Sequence, residues 1–212
     1  MNQAERRKNG MLYDPIKTGD PAYMKARVLL LQVNAQPTCE TARPFLEQML
    51  GSYPPSAAIV PPFYCDLGPQ IFLDEGAFLN MDCLILDEGR VQIGKRTMIG
   101  PRCSMYTATH PLDAQIRKTG VELALGITIE EDVWIGGSCV INGGVTIHKE
   151  SVIGSGSVVT RDIPPGVLAA GNPCRVIRTI SDEEKEHWKA MYKEYEAFLK
   201  ESEDISIQHR KV

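Results

Sequence analysis

No apolar stretch in the sequence approaches the ~20 residues that cross a bilayer. The longest runs, such as Val28-Leu29-Leu30-Leu31, are the size of a helix face, so a membrane partner is not expected. The polar start, Met1 to Lys8, leads into no apolar signal core, and a cytoplasmic protein is the expectation. There is no CxxC pair among the six cysteines, Cys39, Cys65, Cys83, Cys103, Cys139 and Cys174. Free thiols in a reducing compartment are therefore expected, rather than a zinc knuckle or a thioredoxin-like centre. No basic block occurs, and 23 Lys and Arg against 27 Asp and Glu leave a net charge of -4, which argues against nucleic acid as a partner. No glycine-rich phosphate loop opens a helix, so nucleotide hydrolysis has no support. What remains, 43% hydrophobic and 24% charged residues in a chain of 212, is ordinary globular usage for one substantial domain with a smaller attachment.

The chain does contain a repeat. Leu73, Leu79 and Ile85 are six apart; after a slip of two residues come Ile93, Ile99 and Met105, and then Ile129, Ile135, Ile141, Ile147, Ile153 and Val159. Two residues before each stands a small or β-branched residue, among them Cys83, Thr97, Cys103, Val133, Cys139, Ser151 and Ser157. An α-helix would repeat near 3.6, whereas a period of six with alternating inward positions suits short strands wound into a solenoid. Asp74, Asn80, Gly94, Gly100, Gly136, Asn142 and Gly154 follow the aliphatic positions and are read as corner residues chosen for left-handed backbone angles. His148, after Ile147, falls in the same class. Three sides of six residues make a coil, so the twelve hexads predict about four coils, stacked at roughly 4.8 Å per strand. Cys83, Cys103 and Cys139 sit at the small inward position, where cysteine acts as a compact hydrophobe. Between Met105 and Ile129 about 18 residues are extruded as a loop, 106–126, carrying Thr109-His110-Pro111, Arg117-Lys118 and Glu122.

The ends lack the hexad. Residues 1–56 are expected to be a helical, acceptor-side segment, with Val28, Leu29, Leu31 and Val33 on one helix and Phe45, Leu46, Met49 and Leu50 on the next. The solenoid spans 57–180. Ser181-Asp182-Glu183-Glu184 is a capping-box signature that opens a C-terminal helix and polar tail over 181–212, with Trp188, Met191, Tyr192, Tyr195, Phe198 and Leu199 at helical spacing. That stripe is read as a packing surface on the solenoid or on a neighbouring subunit.

With the hexads, the extruded histidine loop, Val133-Trp134-Ile135-Gly136, Thr160-Arg161-Asp162-Ile163-Pro164-Pro165 and the run Gly166 to Arg178 laid out, the chain resembles the maltose and galactoside O-acetyltransferases, a group of hexapeptide-repeat acyltransferases, from about Arg7 to Ile180. The resemblance implies a mainly β fold, a left-handed parallel β-helix. It also implies a homotrimer, and transfer of acetyl from acetyl-CoA to a hydroxyl, usually on a sugar, with no metal required.

Acyl transfer to a hydroxyl needs a base for the hydroxyl proton and donors for the oxyanion. By resemblance, His110 is the base, Glu122 lies near it and orients it, and Asn80 contacts the acceptor hydroxyl or oxyanion. The Gly137 N–H is the second oxyanion donor. Asp14, Asp66 and Glu88 are acceptor contacts, Glu88 standing where the galactoside enzymes have aspartate. Trp134, Gly137, Ser155, Thr160, Arg161, Arg175 and Arg178 are the implied acetyl-CoA contacts, with arginine suited to phosphates. His187 and His209 have no chemical partner in sequence. Alternatives are the same enzyme class with another acceptor (an amino sugar, an oligosaccharide or a xenobiotic), a zinc site of the carbonic-anhydrase type, which needs three histidines, and a non-catalytic scaffold.

Overall fold

Alternating inward side chains and corners every six residues give this chain three short strand faces per turn, and the computed structural model, which describes residues 1–209, has that form. It is a left-handed β-solenoid of about 6 turns. One face has seven strands, Ala58–Ile59, Phe78–Leu79, Met98–Ile99, Trp134–Ile135, Val152–Ile153, Val167–Ala170 and Arg175–Thr179. A second has five: Phe63–Cys65, Cys83–Leu86, Ser104–Tyr106, Val140–Asn142 and Val158–Val159. The third has four: Ile71–Leu73, Val91–Ile93, Ile127–Ile129 and Thr146–Ile147. Neighbouring coils pair in parallel with like positions in register, so Leu79, Ile99, Ile135 and Ile153 form one buried column. The solenoid is longer than the four coils expected, because Ile59 and Cys65 continue the inward ladder one coil before Leu79 and Ile85.

The corners follow a different rule from the one expected. The left-handed residues are Asp82, Arg96, Arg102, Asp132, Ser138 and Glu150, with φ between 56° and 61°, together with Gly76, Gly156 and Gly166. They lie three residues after the aliphatic position, and none is the glycine, asparagine or histidine that directly follows it. Each turns its N–H toward the coil before it, as Arg96 N does to the Glu75 carbonyl (3.0 Å) and Ser138 N to Pro101 (2.8 Å). Gly94, Gly100 and Gly136 are required for close approach instead. A Cβ on Gly94 would lie 2.5 Å from the Glu130 carbonyl carbon, one on Gly100 2.6 Å from Gly137 N, and one on Gly136 2.5 Å from Ser155 Oγ. His148, with Nδ1 3.0 Å from Glu130 Oε1, is likewise not a positive-φ residue.

The small inward positions also satisfy corner backbone. Cys83 Sγ donates to Gly100 O (3.5 Å), Cys103 Sγ to Gly136 O (3.1 Å) and Cys139 Sγ to Gly154 O (3.3 Å). Ser157 Oγ repeats the contact to Gly154 O, and Thr97 Oγ1 donates to Glu130 O at 2.6 Å. Weak thiol donors thus serve corner carbonyls, and burial pushes the Cys83 thiol up to about 11.

The first coil would expose Ile59 and Phe63 if left open; helices close it. Helix α1 spans Gln3–Lys8, α2 Ala22–Asn34 and α3 Cys39–Met49. Ala26, Leu29, Leu30 and Val33 of α2 and Ala42, Leu46 and Met49 of α3 join the solenoid core. Val28 and Leu31, expected on that face, are 56% and 76% exposed, because the apolar run circles the helix and only the 26-29-30-33 stripe faces inward. Asn34 substitutes for a missing strand: its amide donates to Phe63 O (3.0 Å) and its carbonyl oxygen accepts from Phe63 N (2.8 Å).

A second compact unit begins at Thr179 and consists of helix α5, Asp182–His209. Ser181 Oγ accepts from Glu184 N at 3.2 Å, the backbone half of the expected cap. The helical backbone continues through the expected polar tail to His209, and 210–212 lie outside the described residues. Among the described residues, no helix is long and apolar enough to cross a membrane.

Candidate active site

The corner between the five-stranded and four-stranded faces is the wide one. The two-residue slip of the repeat falls there, in Asp66-Leu67-Gly68 and again in Asp87-Glu88-Gly89, and the loop leaves from the same corner one coil later. Asp87, fully buried, holds the wide turns in line. Its carboxylate accepts from Asp66 N (3.1 Å), Leu67 N (2.8 Å) and Gly68 N (2.7 Å), while burial, opposed by these bonds, pushes its pKa up.

The loop is ordered on the solenoid. Strands Ala108–Thr109 and Leu123–Ala124 pair antiparallel, Ala114–Arg117 form a helical turn (α4), and Tyr13 bridges Glu122 through both backbone groups, 3.0 and 2.9 Å. His110 is thereby fixed. Its Nδ1 lies 3.0 Å from the Val121 carbonyl, which only accepts, so the neutral ring carries its proton on Nδ1 and leaves a lone pair on Nε2. Glu122 Oε1 is 3.7 Å from Nε2. The orienting contact is thus the Val121 carbonyl, and Glu122 stands beside Nε2. Glu122 Oε2 in turn accepts from the buried Tyr13 hydroxyl at 2.8 Å. Burial and then Glu122 push the Tyr13 pKa up, keeping it a donor.

Tyr13, Glu88 and Glu122 line a cavity of about 450 Å³ with Arg7, Asp20 and Tyr23. Glu88 is mostly buried, and that burial, followed by its contact with Asp66, pushes its pKa up to about 8. The other two expected acceptor carboxylates are engaged elsewhere. Asp14 caps the 3-10 turn Pro15–Lys17 and pairs with Lys17 Nζ at 2.8 Å. Asp66 pairs with Arg27 at 3.0 Å while also touching Glu88.

A second group of expected residues lies on the corner between the seven-stranded and five-stranded faces. Asn80, Gly100, Gly136 and Gly154 stack there, each N–H bonded to the next coil at 2.8 to 2.9 Å, with Gly137 and Ser155 beside them. The Asn80 side chain accepts from Met81 N at 2.8 Å. The Gly137 N–H donates to no acceptor among the described residues. Trp134, 53% exposed, stands in register with exposed Met98 on the seven-stranded face, and Arg175 and Arg178 lie on that face's last strand. Thr160 and Arg161 follow Val158–Val159 and so stand on the wide corner, beyond the loop. One chain therefore brings His110, Glu122 and Glu88 to one edge and Asn80, Gly137 and Ser155 to another. The sequence reading did not include Tyr13, Arg7, Val121 or Asp87. The slip of the repeat was the signal for Asp87; nothing in the pattern marked Arg7.

Comparison with known proteins agrees with this architecture. A family model described as bacterial transferase hexapeptide (six repeats) matches residues 126–161. The galactoside O-acetyltransferase of Escherichia coli is 36% identical over 196 residues, 91% of this chain and 97% of that protein. A maltose O-acetyltransferase from Clostridium difficile superposes with a TM-score of 0.80 at 37% identity, covering 86% of this chain and 99% of that one. A hexapeptide-repeat acetyltransferase from Vibrio cholerae, complexed with acetyl coenzyme A, superposes with a TM-score of 0.80 at 34% identity, covering 86% and 100%.

Proposed function

Since the chain belongs to the hexapeptide-repeat O-acetyltransferases, we propose that it transfers acetyl from acetyl-CoA to a hydroxyl of a small sugar-like acceptor held in the cavity beside Glu122. The observation that carries this reading is the state of His110: Nδ1 is committed to the Val121 carbonyl, and Nε2 is presented as a base next to a carboxylate that lines the cavity.

Nε2 removes the hydroxyl proton as the oxygen attacks the thioester carbonyl carbon. Glu122 stabilises the imidazolium formed, and Tyr13 holds Glu122. The negative charge moves to the former carbonyl oxygen, where the Gly137 N–H and the Asn80 side chain are the proposed donors. The carbon–sulfur bond then breaks, and the imidazolium returns its proton to the departing thiolate, leaving an acetyl ester and the thiol. For the cosubstrate, the stacked glycines keep side chains off their corner so that an extended amide chain can lie along it, Trp134 supplies an apolar wall, and Ser155, Thr160, Arg161, Arg175 and Arg178 are the proposed polar contacts.

Because His110 and the Asn80–Gly137 group stand on different edges of one prism, the reading requires the wide corner of one chain to face the glycine corner of another. A closed homotrimer satisfies this with three equivalent sites. In a thiol-release assay with acetyl-CoA and glucose, maltose, galactosides or glucosamine, His110→Ala is expected to lower kcat by about 10²- to 10⁴-fold without changing the thermal melt. Full turnover by that variant would overturn the proposal.

A further inference from the structure

Cys83 and Cys103 make the same contact on successive coils, to Gly100 O at 3.5 Å and to Gly136 O at 3.1 Å, but the residue after each carbonyl differs. Gly100 is followed by Pro101, whose nitrogen carries no proton. Gly136 is followed by Gly137, whose N–H donates to no acceptor among the described residues. The Gly136 carbonyl and the Gly137 N–H belong to one trans peptide, so they point in opposite directions. Cys103 is fully buried inside the coil, and a carbonyl turned to its sulfur aims the N–H away from the core. Among the described residues no backbone N–H reaches Gly136 O, and the Cys139 sulfur beside Cys103 is a weaker acceptor than a carbonyl oxygen. Neither glycine has a Cβ to limit the torsions on either side of this peptide. Backbone bonds fix its flanks, Gly136 N to Ile153 O (2.8 Å) and Gly156 N to Gly137 O (2.9 Å), and the thiol holds the peptide between them.

We infer that Cys103 is a positioning residue: its thiol sets the plane of the Gly136–Gly137 peptide so that the Gly137 N–H projects from the glycine corner in one direction. This rests on the proposed acetyl transfer, in which that N–H meets the negative charge on the former carbonyl oxygen. A donor already aimed at the developing charge lowers the barrier, whereas one that must first rotate loses part of that gain to reorganisation. Donation by the thiol also polarises the peptide and strengthens its N–H as a donor. Buried within the coil, Cys103 can touch neither substrate, so kcat depends on it and the KM values do not. A hydroxyl can serve as well, since Ser157 Oγ donates to Gly154 O and Thr97 Oγ1 to Glu130 O from the corresponding small positions.

The test compares three variants. Cys103→Val has no donor but fills the position with the side chain that Val133 and Val145 bury at equivalent places; Cys103→Ser restores a donor; Cys83→Val removes the matching bond before Pro101. In thiol release with the same panel of sugars, Cys103→Val is expected to lower kcat by about tenfold or more, with both KM values within about twofold of wild type. Cys103→Ser should return kcat to near the wild-type value, and Cys83→Val should leave it unchanged. A second readout needs no substrate. The sequence has two Gly-Gly pairs, 136–137 and 143–144, so glycine isotope-labelled at its carbonyl carbon and amide nitrogen gives two carbonyl–amide correlations in NMR spectra. The Gly136 carbonyl resonance should move upfield in Cys103→Val, as a carbonyl does on losing a donor, and back downfield in Cys103→Ser, while the Gly143–Gly144 signal stays in place. Cys103→Ala serves if the valine variant melts early. Wild-type kcat without the thiol, a loss that serine does not restore, an equal loss in Cys83→Val, or an unmoved Gly136 carbonyl would overturn the positioning role. The expected carbonyl shifts in a protein whose wild type releases no thiol would leave the held peptide standing and overturn the acetyl-transfer reading.

Discussion

Replacing Glu88 by glutamine should make the protein more stable, and by more the higher the pH. In the folded chain, burial and the neighbouring Asp66 raise the Glu88 carboxyl from its ordinary 4.5 to about 8. Between those values the native state holds a proton that the unfolded chain has released. The stabilising contribution of this group is therefore complete below about pH 4.5 and declines as the pH rises toward 8, with a slope of up to about 1.4 kcal/mol per pH unit. Over the window the loss amounts to about 5 kcal/mol. Glutamine mimics the protonated form: its amide donates to Asp66 and its carbonyl oxygen stands in for Oε2. Urea unfolding at fixed protein concentration, followed by circular dichroism at about pH 5, 7 and 8.5, should give nearly equal stabilities at the lowest pH. A gap of about 5 kcal/mol in favour of Glu88→Gln should open at the highest. Parallel profiles, or a wild-type contribution that grows with pH, would refute the account of a buried, proton-retaining carboxyl.

Tyr13→Phe retains the buried ring and removes only the hydroxyl bonded to Glu122; kcat should fall by about tenfold while stability drops by about 1 to 2 kcal/mol, and unchanged kcat would show that Glu122 needs no such support. Gly94→Ala places a methyl group against rigid Glu130 backbone and should cost about 3 kcal/mol or more. Gly156→Ala, at φ +73° with open space around it, should cost only about 1 to 2 kcal/mol. Equal melting shifts for the two variants would refute the distinction between crowded corners and left-handed ones.

Much of the coil was legible in the chain. Leu79, Ile99, Ile135 and Ile153 could be paired on paper, because an inward ladder of period six leaves one way to stack, and the jump from Met105 to Ile129 marked the place where chain had to leave the coil. The backbone angles behind the corners were less legible. Glycine after the aliphatic position suggested torsion, yet Gly94 and Gly136 answer to distance between coils, while Arg96 and Asp132 take the left-handed angles. A one-dimensional pattern records residue size at a corner and leaves open whether that size serves a torsion or a neighbour.

The candidate site divides along the same line. The sequence by itself determined that a solenoid forms, that His110 leaves it on a loop, and that Asn80 and Gly136 occupy corners, because these follow from local spacing. Only the tertiary structure decided that the Val121 carbonyl, rather than Glu122, sets the tautomer of His110, and that Tyr13 reaches Glu122 across 109 positions of sequence. It alone brought Arg7 to a cavity wall beside Glu88. Hydrogen bonds between residues far apart in the chain leave no period, and the direction of a buried donor exists only once every neighbour has taken its place.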